Sequence, residues 1–243
     1  MSRLDTTIVL SKEPSPQSGA AERNGGREAA GPVKGFRCEA SASGQGAGRV
    51  GGACKSLASY VHFFLAGLIH QGQTGGIIPS QRFLIDKMIA PVPPNHTGRV
   101  IELGSGSGAL TVRLAARCSQ ARILACEINP TLARDTEHNL ARVGLQGRVQ
   151  VACEPASAVL ARLRHHQERV DYIISGIPLG TLDGEQALEL IRDIHRTLSP
   201  GGWYVQFQHS LLDRKKIETT FSALRTVPVL FNLPPAVIYY AQK

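Results

Sequence analysis

A glycine-rich loop between a predicted strand and a predicted helix constrains this chain more than any other feature of its sequence. The strand covers Arg99–Leu103, and the loop Gly104-Ser-Gly-Ser-Gly108 runs into a helix that begins at Ala109. Glycine lets the backbone approach a ligand closely, and the N–H groups at a helix N-terminus favour a negatively charged or carboxylate-bearing group. A small-molecule site is therefore predicted where this strand ends.

Strands and helices alternate along the rest of the chain. The apolar runs that predict strands are residues 99–103, 122–126, 148–152, 172–175, 203–207, 226–231 and 236–240. The amphipathic segments between them predict helices, with a short one near residues 213–224. The last two runs are too closely linked for a crossover helix, so they are expected to pair antiparallel. This order predicts an α/β fold with a doubly wound, seven-stranded, mostly parallel sheet and an antiparallel C-terminal hairpin.

The first 52 residues have a different composition. They hold ten of the 25 glycines, seven basic and five acidic residues, and one aromatic residue, Phe36. Such a segment cannot bury enough apolar surface to offset the entropy of ordering it. We expect a disordered tail at residues 1–52, a helical cap or membrane-interface segment at 53–95, and the α/β domain at 96–243. A transit peptide and a non-native start both stay open for the tail.

Composition excludes several classes of protein. No run of 18 apolar residues occurs, so no transmembrane helix is expected. The five cysteines are odd in number and lack C-x-x-C spacing, which argues against a disulfide framework or a zinc ribbon and indicates a reducing compartment. The net charge of +8 leaves nucleic acid and an anionic membrane as candidate partners.

Two acidic residues narrow the ligand. Glu127 ends the second predicted strand, 23 residues beyond Gly104, where an acid accepts hydrogen bonds from ribose hydroxyls. Glu102 lies inside the first strand, where a carboxylate would repel a pyrophosphate but suits the ammonium group of a methionine moiety. A tight turn followed by a surface acid is the alternative interpretation.

In these features the chain resembles class I S-adenosylmethionine-dependent methyltransferases, with their E/D-x-G-x-G-x-G pattern and terminal antiparallel hairpin. The resemblance covers about residues 75–243 and implies S-adenosylmethionine as the cofactor. The residues predicted to bind it are Glu102, Gly104, Ser105, Gly106, Gly108, Glu127, Ile128 and Glu154. The family often has an Asp near Glu154 that contacts the adenine amine. The alternative is that Pro155 occupies the aligned position, which would leave Glu154 as a surface acid.

The segment Ser175-Gly-Ile-Pro-Leu179 follows the fourth strand, at the position where other methyltransferases bind the methyl acceptor. Adenine N6-methyltransferases have Asn/Asp-x-Pro-Tyr/Phe there, where the aromatic residue stacks on the base. This chain has Leu179 in that place. The string resembles the S-G-[LI]-P-L motif of bacterial phospholipid N-methyltransferases, and residues 75–82, 204–207 and 232–236 resemble further segments of that family. The resemblance implies methylation of a lipid head-group amine, such as that of phosphatidylethanolamine.

The predicted catalytic residues follow from this chemistry, because only a neutral amine has the lone pair that attacks a methyl group. Ser175 and the carbonyl of Gly176 are predicted to accept hydrogen bonds from the amine. His209 is predicted to take its proton, with a surface or capping histidine as the alternative. Tyr60 or His62 would contribute only if a first helix folded over the site. No metal ligand set is predicted, because the reaction needs none.

We therefore predict a cytoplasmic, peripherally membrane-associated N-methyltransferase whose partners are a lipid amine and an anionic membrane surface rather than nucleic acid. A predicted helix at residues 57–69 would enter the lipid interface through side chains such as Phe64, or would pack on the sheet. Lys55, Arg82 and Lys87 are the candidate membrane cations. Two rivals stay open: an RNA adenine dimethyltransferase-like enzyme, and a non-catalytic protein that binds S-adenosylmethionine or nucleic acid. The sequence leaves the oligomeric state undefined.

Overall fold

The computed structural model describes residues 79–230 and 235–243. The strands are β1 (Arg99–Leu103), β2 (Arg122–Cys126), β3 (Val149–Ala152), β4 (Val170–Ser175), β5 (Leu198–Gln208), β6 (Ala223–Val229) and β7 (Ala236–Gln242). The helices are α1 (Pro79–Ile89), α2 (Ala109–Arg117), α3 (Pro130–Arg142), α4 (Ala156–His165), α5 (Gly184–Thr197) and α6 (Arg214–Glu218). A short 3-10 turn covers Leu179–Thr181.

The strands form one sheet in the order β3-β2-β1-β4-β5-β7-β6. β1 to β5 run parallel, and β7 pairs antiparallel with both β5 and β6. The predicted doubly wound α/β fold and its antiparallel ending are therefore confirmed. Because the first five strands point the same way, the loops that follow β1, β2, β4 and β5 meet at one edge of the sheet, which we call the carboxyl edge.

Helices cover both faces of the sheet. On one face, buried side chains of α1 and α2 join a cluster with Val205, Phe207 and Ile238. On the other face, α4, α5 and α6 pack on Tyr204 and Tyr239. The two clusters meet only through the sheet, as the layered architecture of α/β proteins requires.

Local sequence signals explain where two of the helices begin. The Asn129 side chain accepts a hydrogen bond from the Thr131 backbone N–H at 2.9 Å, and Pro130 occupies the first turn of α3. At α5, Asp183 and Gln186 form a reciprocal capping box. Both helix starts lie at the carboxyl edge, so these caps also fix the loops there.

α1 is the described part of the segment expected to form a cap. Its apolar side chains Leu84, Ile85, Met88 and Ile89 are buried against the sheet, and the Tyr240 hydroxyl donates a hydrogen bond to the Lys87 carbonyl at 2.8 Å. Arg82 and Lys87 lie on its exposed face. α1 is therefore integral to the core of the α/β domain, while the division of the chain at residues 52 and 95 stays a prediction.

The end of α6 differs from the sequence expectation. A helix was expected near residues 213–224, but α6 ends at Glu218 and β6 begins at Ala223. Phe221 is buried and stacks on Tyr204, with ring centroids 5.5 Å apart. The chain leaves the helix because this packing and the pairing with β7 stabilise the extended form.

Several expectations fall on residues outside the described ranges. They are the tail at residues 1–52, Lys55, the helix at 57–69 with Tyr60, His62 and Phe64, residues 75–78 of the segment 75–82, and residues 231–234 around the start of the hairpin's last strand. Among the helices of residues 79–230 and 235–243, none has the length and apolar character needed to cross a membrane.

Candidate active site

The glycine loop after β1 adopts the backbone conformation that its composition predicts. Gly104, Gly106 and Gly108 have φ angles of 75°, 57° and 85°, in the left-handed region that side chains disfavour. The backbone N–H groups of Gly104 and Ser105 donate to the Cys126 carbonyl at 2.8 and 3.0 Å. The loop is thus tied to the end of β2 and curves around the N-terminus of α2.

α3 holds this loop from the side. The Thr136 hydroxyl donates to the Gly106 carbonyl at 2.9 Å, and the Asn139 amide donates to the Ser107 carbonyl at 2.9 Å. A Cβ at Gly108 would lie 2.9 Å from Thr136 Cγ2, so only glycine fits there. Sequence reasoning missed Thr136 and Asn139. The amphipathic pattern of α3 places Thr136 on its buried side with Leu140, but it does not identify the glycine loop as the partner of either residue.

Glu127 lies beside the loop at the carboxyl edge. One of its carboxylate oxygens accepts the Gly106 N–H at 2.9 Å, and the other accepts the Asn129 N–H at 2.9 Å. Each carboxylate oxygen can accept a further hydrogen bond, which is the capacity that a pair of ribose hydroxyls requires. Ile128 follows with an exposed apolar side chain, and its contact with the cofactor stays a prediction.

Glu102 is buried beneath the same loop. Its carboxylate accepts a hydrogen bond from the Thr111 hydroxyl at 2.6 Å. Burial raises the pKa of Glu102 to about 8; the Thr111 hydrogen bond opposes this shift and the charge of Glu127 adds to it. An ammonium group placed next to Glu102 would favour its ionised form, so the carboxyl group suits the methionine end of the predicted cofactor.

Glu154 is engaged elsewhere in the structure. Its carboxylate forms an ion pair with Arg162 of α4, and its backbone carbonyl accepts a hydrogen bond from the Cys126 thiol at 3.1 Å. The position after β3 is at the carboxyl edge, as the sequence predicts. A contact between Glu154 and adenine stays a prediction, and it would require the carboxylate to leave or share its arginine.

The acceptor loop, residues 175–179, follows β4 directly beside the glycine loop. Ser175 is fully buried, and its hydroxyl oxygen accepts the Ile177 N–H at 3.2 Å. The Gly176 N–H donates to the Leu103 carbonyl at 2.9 Å. Leu179 is also fully buried and belongs to the core. The Ser175 hydroxyl therefore shapes the loop, and its contact with an acceptor amine stays a prediction.

His209 lies just past β5 and is exposed. Its Nδ1 makes a 2.9 Å hydrogen bond with the Pro235 carbonyl, and its ring meets Phe207 edge-on with centroids 4.9 Å apart. The residue joins the end of β5 to the start of β7 at the carboxyl edge. This geometry agrees with a capping histidine, while the proposed removal of a proton by His209 stays a prediction.

The structure thus brings the cofactor residues predicted from sequence to one edge, and they fit S-adenosylmethionine. The glycine loop leaves its backbone accessible because it has few side chains. Glu127 has free hydrogen-bond capacity for ribose hydroxyls, and Glu102 supplies a carboxyl group for an ammonium. Within the part of the chain that the structure describes, no group of three or more His, Cys, Asp or Glu residues could hold a metal ion.

Comparisons with known proteins agree with this geometry. A family model for a methyltransferase domain matches residues 100–202. An ornithine lipid N-methyltransferase of Singulisphaera acidiphila is 24% identical over 175 residues, covering 71% of this chain and 90% of the relative. A tRNA1(Val) (adenine(37)-N6)-methyltransferase of Bacteroides fragilis is 27% identical over 127 residues, 46% of this chain and 52% of the relative. The chain thus spans about half the length of this second relative.

A solved structure shares the fold. The S-adenosylmethionine-dependent methyltransferase of Agrobacterium tumefaciens superposes with a TM-score of 0.56 at 14% identity, over 69% of this chain and 63% of that protein. The methyltransferase family model, the relatives and this shared fold together confirm the resemblance to S-adenosylmethionine-dependent methyltransferases.

Proposed function

We propose that this S-adenosylmethionine-dependent methyltransferase transfers a methyl group to the head-group amine of a lipid, such as phosphatidylethanolamine or its methylated forms. The acceptor loop carries the proposal. Leu179 is buried in the core at the position where N6-adenine methyltransferases have an aromatic residue that stacks on the base. An acceptor loop without that aromatic surface suits a small aliphatic amine better than a flat base.

The relatives support a lipid acceptor over a nucleic acid. The alignment with the ornithine lipid N-methyltransferase covers 90% of that enzyme. The alignment with the tRNA enzyme covers 52% of that enzyme. The longer alignment with the lipid enzyme is the feature that favours a lipid acceptor.

The chemistry assigns different tasks to the two loops. Bound S-adenosylmethionine supplies an electrophilic methyl group on a sulfonium. The acceptor nitrogen must be neutral to attack it, although a primary ammonium titrates near ~10. The acceptor loop provides a partly dehydrated surface that lowers this pKa. The Gly176 carbonyl and Ser175 hydroxyl orient the amine, and His209 removes a proton.

We further propose that the enzyme works in the cytoplasm, peripherally bound to an anionic membrane. The loop after β5 supports the membrane contact. Leu211 and Leu212 project from the carboxyl edge with 57% and 83% of their surface exposed, and the exposed cations Arg214 and Lys215 follow them. Exposed apolar side chains beside basic residues are typical of surfaces that enter a lipid interface.

The function is tested with methyl-labelled S-adenosylmethionine and two kinds of vesicle. One contains phosphatidylethanolamine in phosphatidylglycerol, and the matched control contains phosphatidylcholine in phosphatidylglycerol, whose quaternary nitrogen cannot accept a methyl group. We expect label in the lipid fraction of the first vesicle only. A parallel incubation with total RNA serves as the alternative acceptor. Label that enters RNA and leaves phosphatidylethanolamine unlabelled would overturn the proposal.

A further inference from the structure

Three polar side chains lie on one face of β5, beneath the acceptor loop. Tyr204, Gln206 and Gln208 alternate along the strand and are all buried, whereas apolar residues normally occupy such positions. A buried amide or hydroxyl that lacks a hydrogen-bond partner is strongly unfavourable. The contacts of these three residues therefore indicate why the strand carries them.

The two glutamine amides converge on one backbone atom. Gln206 Nε2 donates to the Ile177 carbonyl at 2.9 Å, and Gln208 Nε2 donates to the same oxygen at 3.1 Å. Together these bonds use both lone pairs of the Ile177 carbonyl. Gln206 Nε2 is itself fixed by a second bond to the Phe207 carbonyl at 2.7 Å.

Tyr204 orients the Gln206 side chain. Its hydroxyl donates to Gln206 Oε1, which orients the amide so that its nitrogen faces Ile177. The Tyr204 hydroxyl also shares a hydrogen bond with Ser175, and burial raises the tyrosine pKa, so that it stays a neutral donor. The start of the acceptor loop and its Ile177 carbonyl are thus both held by β5.

Ile177 is the point where the acceptor loop meets the glycine loop. A Cβ built on Gly104 would lie 3.1 Å from Ile177 Cγ1, and one built on Gly176 would lie 3.1 Å from the Gly104 carbonyl. The aliphatic side chain of Ile177 therefore packs directly on the backbone that is expected to hold the cofactor. A shift of Ile177 by even a fraction of an ångström would change the space between cofactor and acceptor.

We propose that Gln206 and Gln208 are positioning residues of the methyl-acceptor site, which hold the Ile177 carbonyl so that the Ile177 side chain forms its apolar wall against Gly104. This assignment rests on the proposed function, because the Ile177 side chain would line the site in which the lipid amine binds. The wall excludes water from the space beside the cofactor and keeps the attacking nitrogen in line with the methyl group.

The experiment compares three variants of the full chain. Gln206→Leu removes both donor bonds of that amide, and Gln208→Leu removes only the second bond to Ile177. The matched control is Gln242→Leu, because Gln242 Nε2 donates to the Gly201 carbonyl at 3.3 Å outside the acceptor loop. Hydrogen exchange of the Gly176 and Ile177 amides is measured together with KM, kcat and the dissociation constant of S-adenosylmethionine.

We expect Gln206→Leu to raise the exchange rate of these amides and the KM for phosphatidylethanolamine vesicles by about tenfold. The Ile177 carbonyl loses one of its two donors, and the buried Tyr204 hydroxyl loses its acceptor on Gln206. Gln208→Leu should show a smaller change in the same direction, and Gln242→Leu none. The dissociation constant of S-adenosylmethionine should stay within about threefold, because no predicted cofactor ligand is altered.

Equal exchange rates and equal KM values in the Gln206, Gln208 and Gln242 variants would overturn the inference, even if the melting temperature fell. If Gln206→Leu does not fold, the Gln208→Leu variant decides by the same two measurements. The exchange measurement needs no methyl acceptor. It therefore tests whether the glutamines fix the Ile177 carbonyl, independently of which substrate the enzyme methylates. A wild-type protein that leaves phosphatidylethanolamine unlabelled would overturn the proposed function alone.

Discussion

The carboxyl group of Glu102 connects a single residue to the stability of the whole domain. Burial raises its pKa to about 8 in the folded protein, from an ordinary value of 4.5. Between these two values the folded chain holds a proton that the unfolded chain has released. The free energy of unfolding therefore falls as pH rises from about 4.5 to about 8. Below about pH 4.5 the carboxyl group is protonated in both states, so Glu102 does not lower the free energy of unfolding there.

Replacing Glu102 with glutamine should remove this pH dependence. From about pH 5 to about pH 8, we expect the wild-type protein to lose roughly 1–3 kcal/mol more unfolding free energy than Glu102→Gln. Denaturant titrations at both pH values measure the difference. Glu154→Gln, which alters a partly exposed ion pair, serves as the control. Parallel pH profiles for the wild-type protein and Glu102→Gln would contradict the expectation.

Residues of the cofactor site could be predicted when their signal was local. Gly104, Gly108 and Glu127 were identified from their spacing, because the loop and the next strand end are neighbours in sequence. Thr136 and Gln206 could not be assigned a role in this way. Their partners, the Gly106 and Ile177 carbonyls, lie about 30 residues away along the chain, and only the folded sheet brings them together.

Among the elements, α3 acts as a support for the glycine loop. We predict that Thr136→Val, which keeps the shape of the side chain but removes its hydroxyl, leaves the Gly106 carbonyl without its 2.9 Å partner. The loss should cost about 1 kcal/mol of stability and weaken the binding of S-adenosylmethionine by about fivefold. Calorimetric titration and thermal unfolding provide the two measurements.

The exposed Thr131 of the same helix provides the control for that substitution. Thr131→Val makes the same chemical change at a side chain on the solvent side of α3, so cofactor affinity should match the wild-type value. If Thr136→Val also bound the cofactor with wild-type affinity, α3 would have no part in shaping the glycine loop.

The elements themselves were predictable to different degrees. The bounds of β1 to β4 agree with the apolar runs to within two residues, because buried parallel strands read as continuous apolar sequence. The predicted end of α6 was wrong, because the stacking of Phe221 on Tyr204 determines where the helix stops. That packing is tertiary and leaves no mark on the local periodicity.

At the scale of the whole molecule, the proposed membrane contact requires one edge of the sheet to face the lipid. Leu212 lies on the carboxyl edge, and Val143, which is 55% exposed, follows α3 at the opposite edge. We predict that Leu212→Asp lowers binding to vesicles rich in phosphatidylglycerol by about tenfold. The variant removes a side chain worth ~1.5–3 kcal/mol on transfer out of water and adds a charge that anionic lipid repels.

Co-sedimentation with these vesicles measures the effect, and Val143→Asp is the matched control. The control variant should bind as the wild-type protein does, because its edge faces away from the lipid. Equal losses in both variants would point to net charge alone. Wild-type binding by Leu212→Asp would remove the loop after β5 from the contact and leave the substrate assignment to the labelling experiment.

The position of β7 has a consequence for how the chain is made. β7 comes last in sequence but lies between β5 and β6 in the sheet, so a nascent chain contains both neighbours before the strand that joins them. Until residues 236–242 emerge from the ribosome, Val205 and Phe207 of β5 stand at an open edge, the kind that pairs with other chains. We therefore expect the sheet to close only once β7 is available, so translational arrest just before residue 236 should release an aggregation-prone chain.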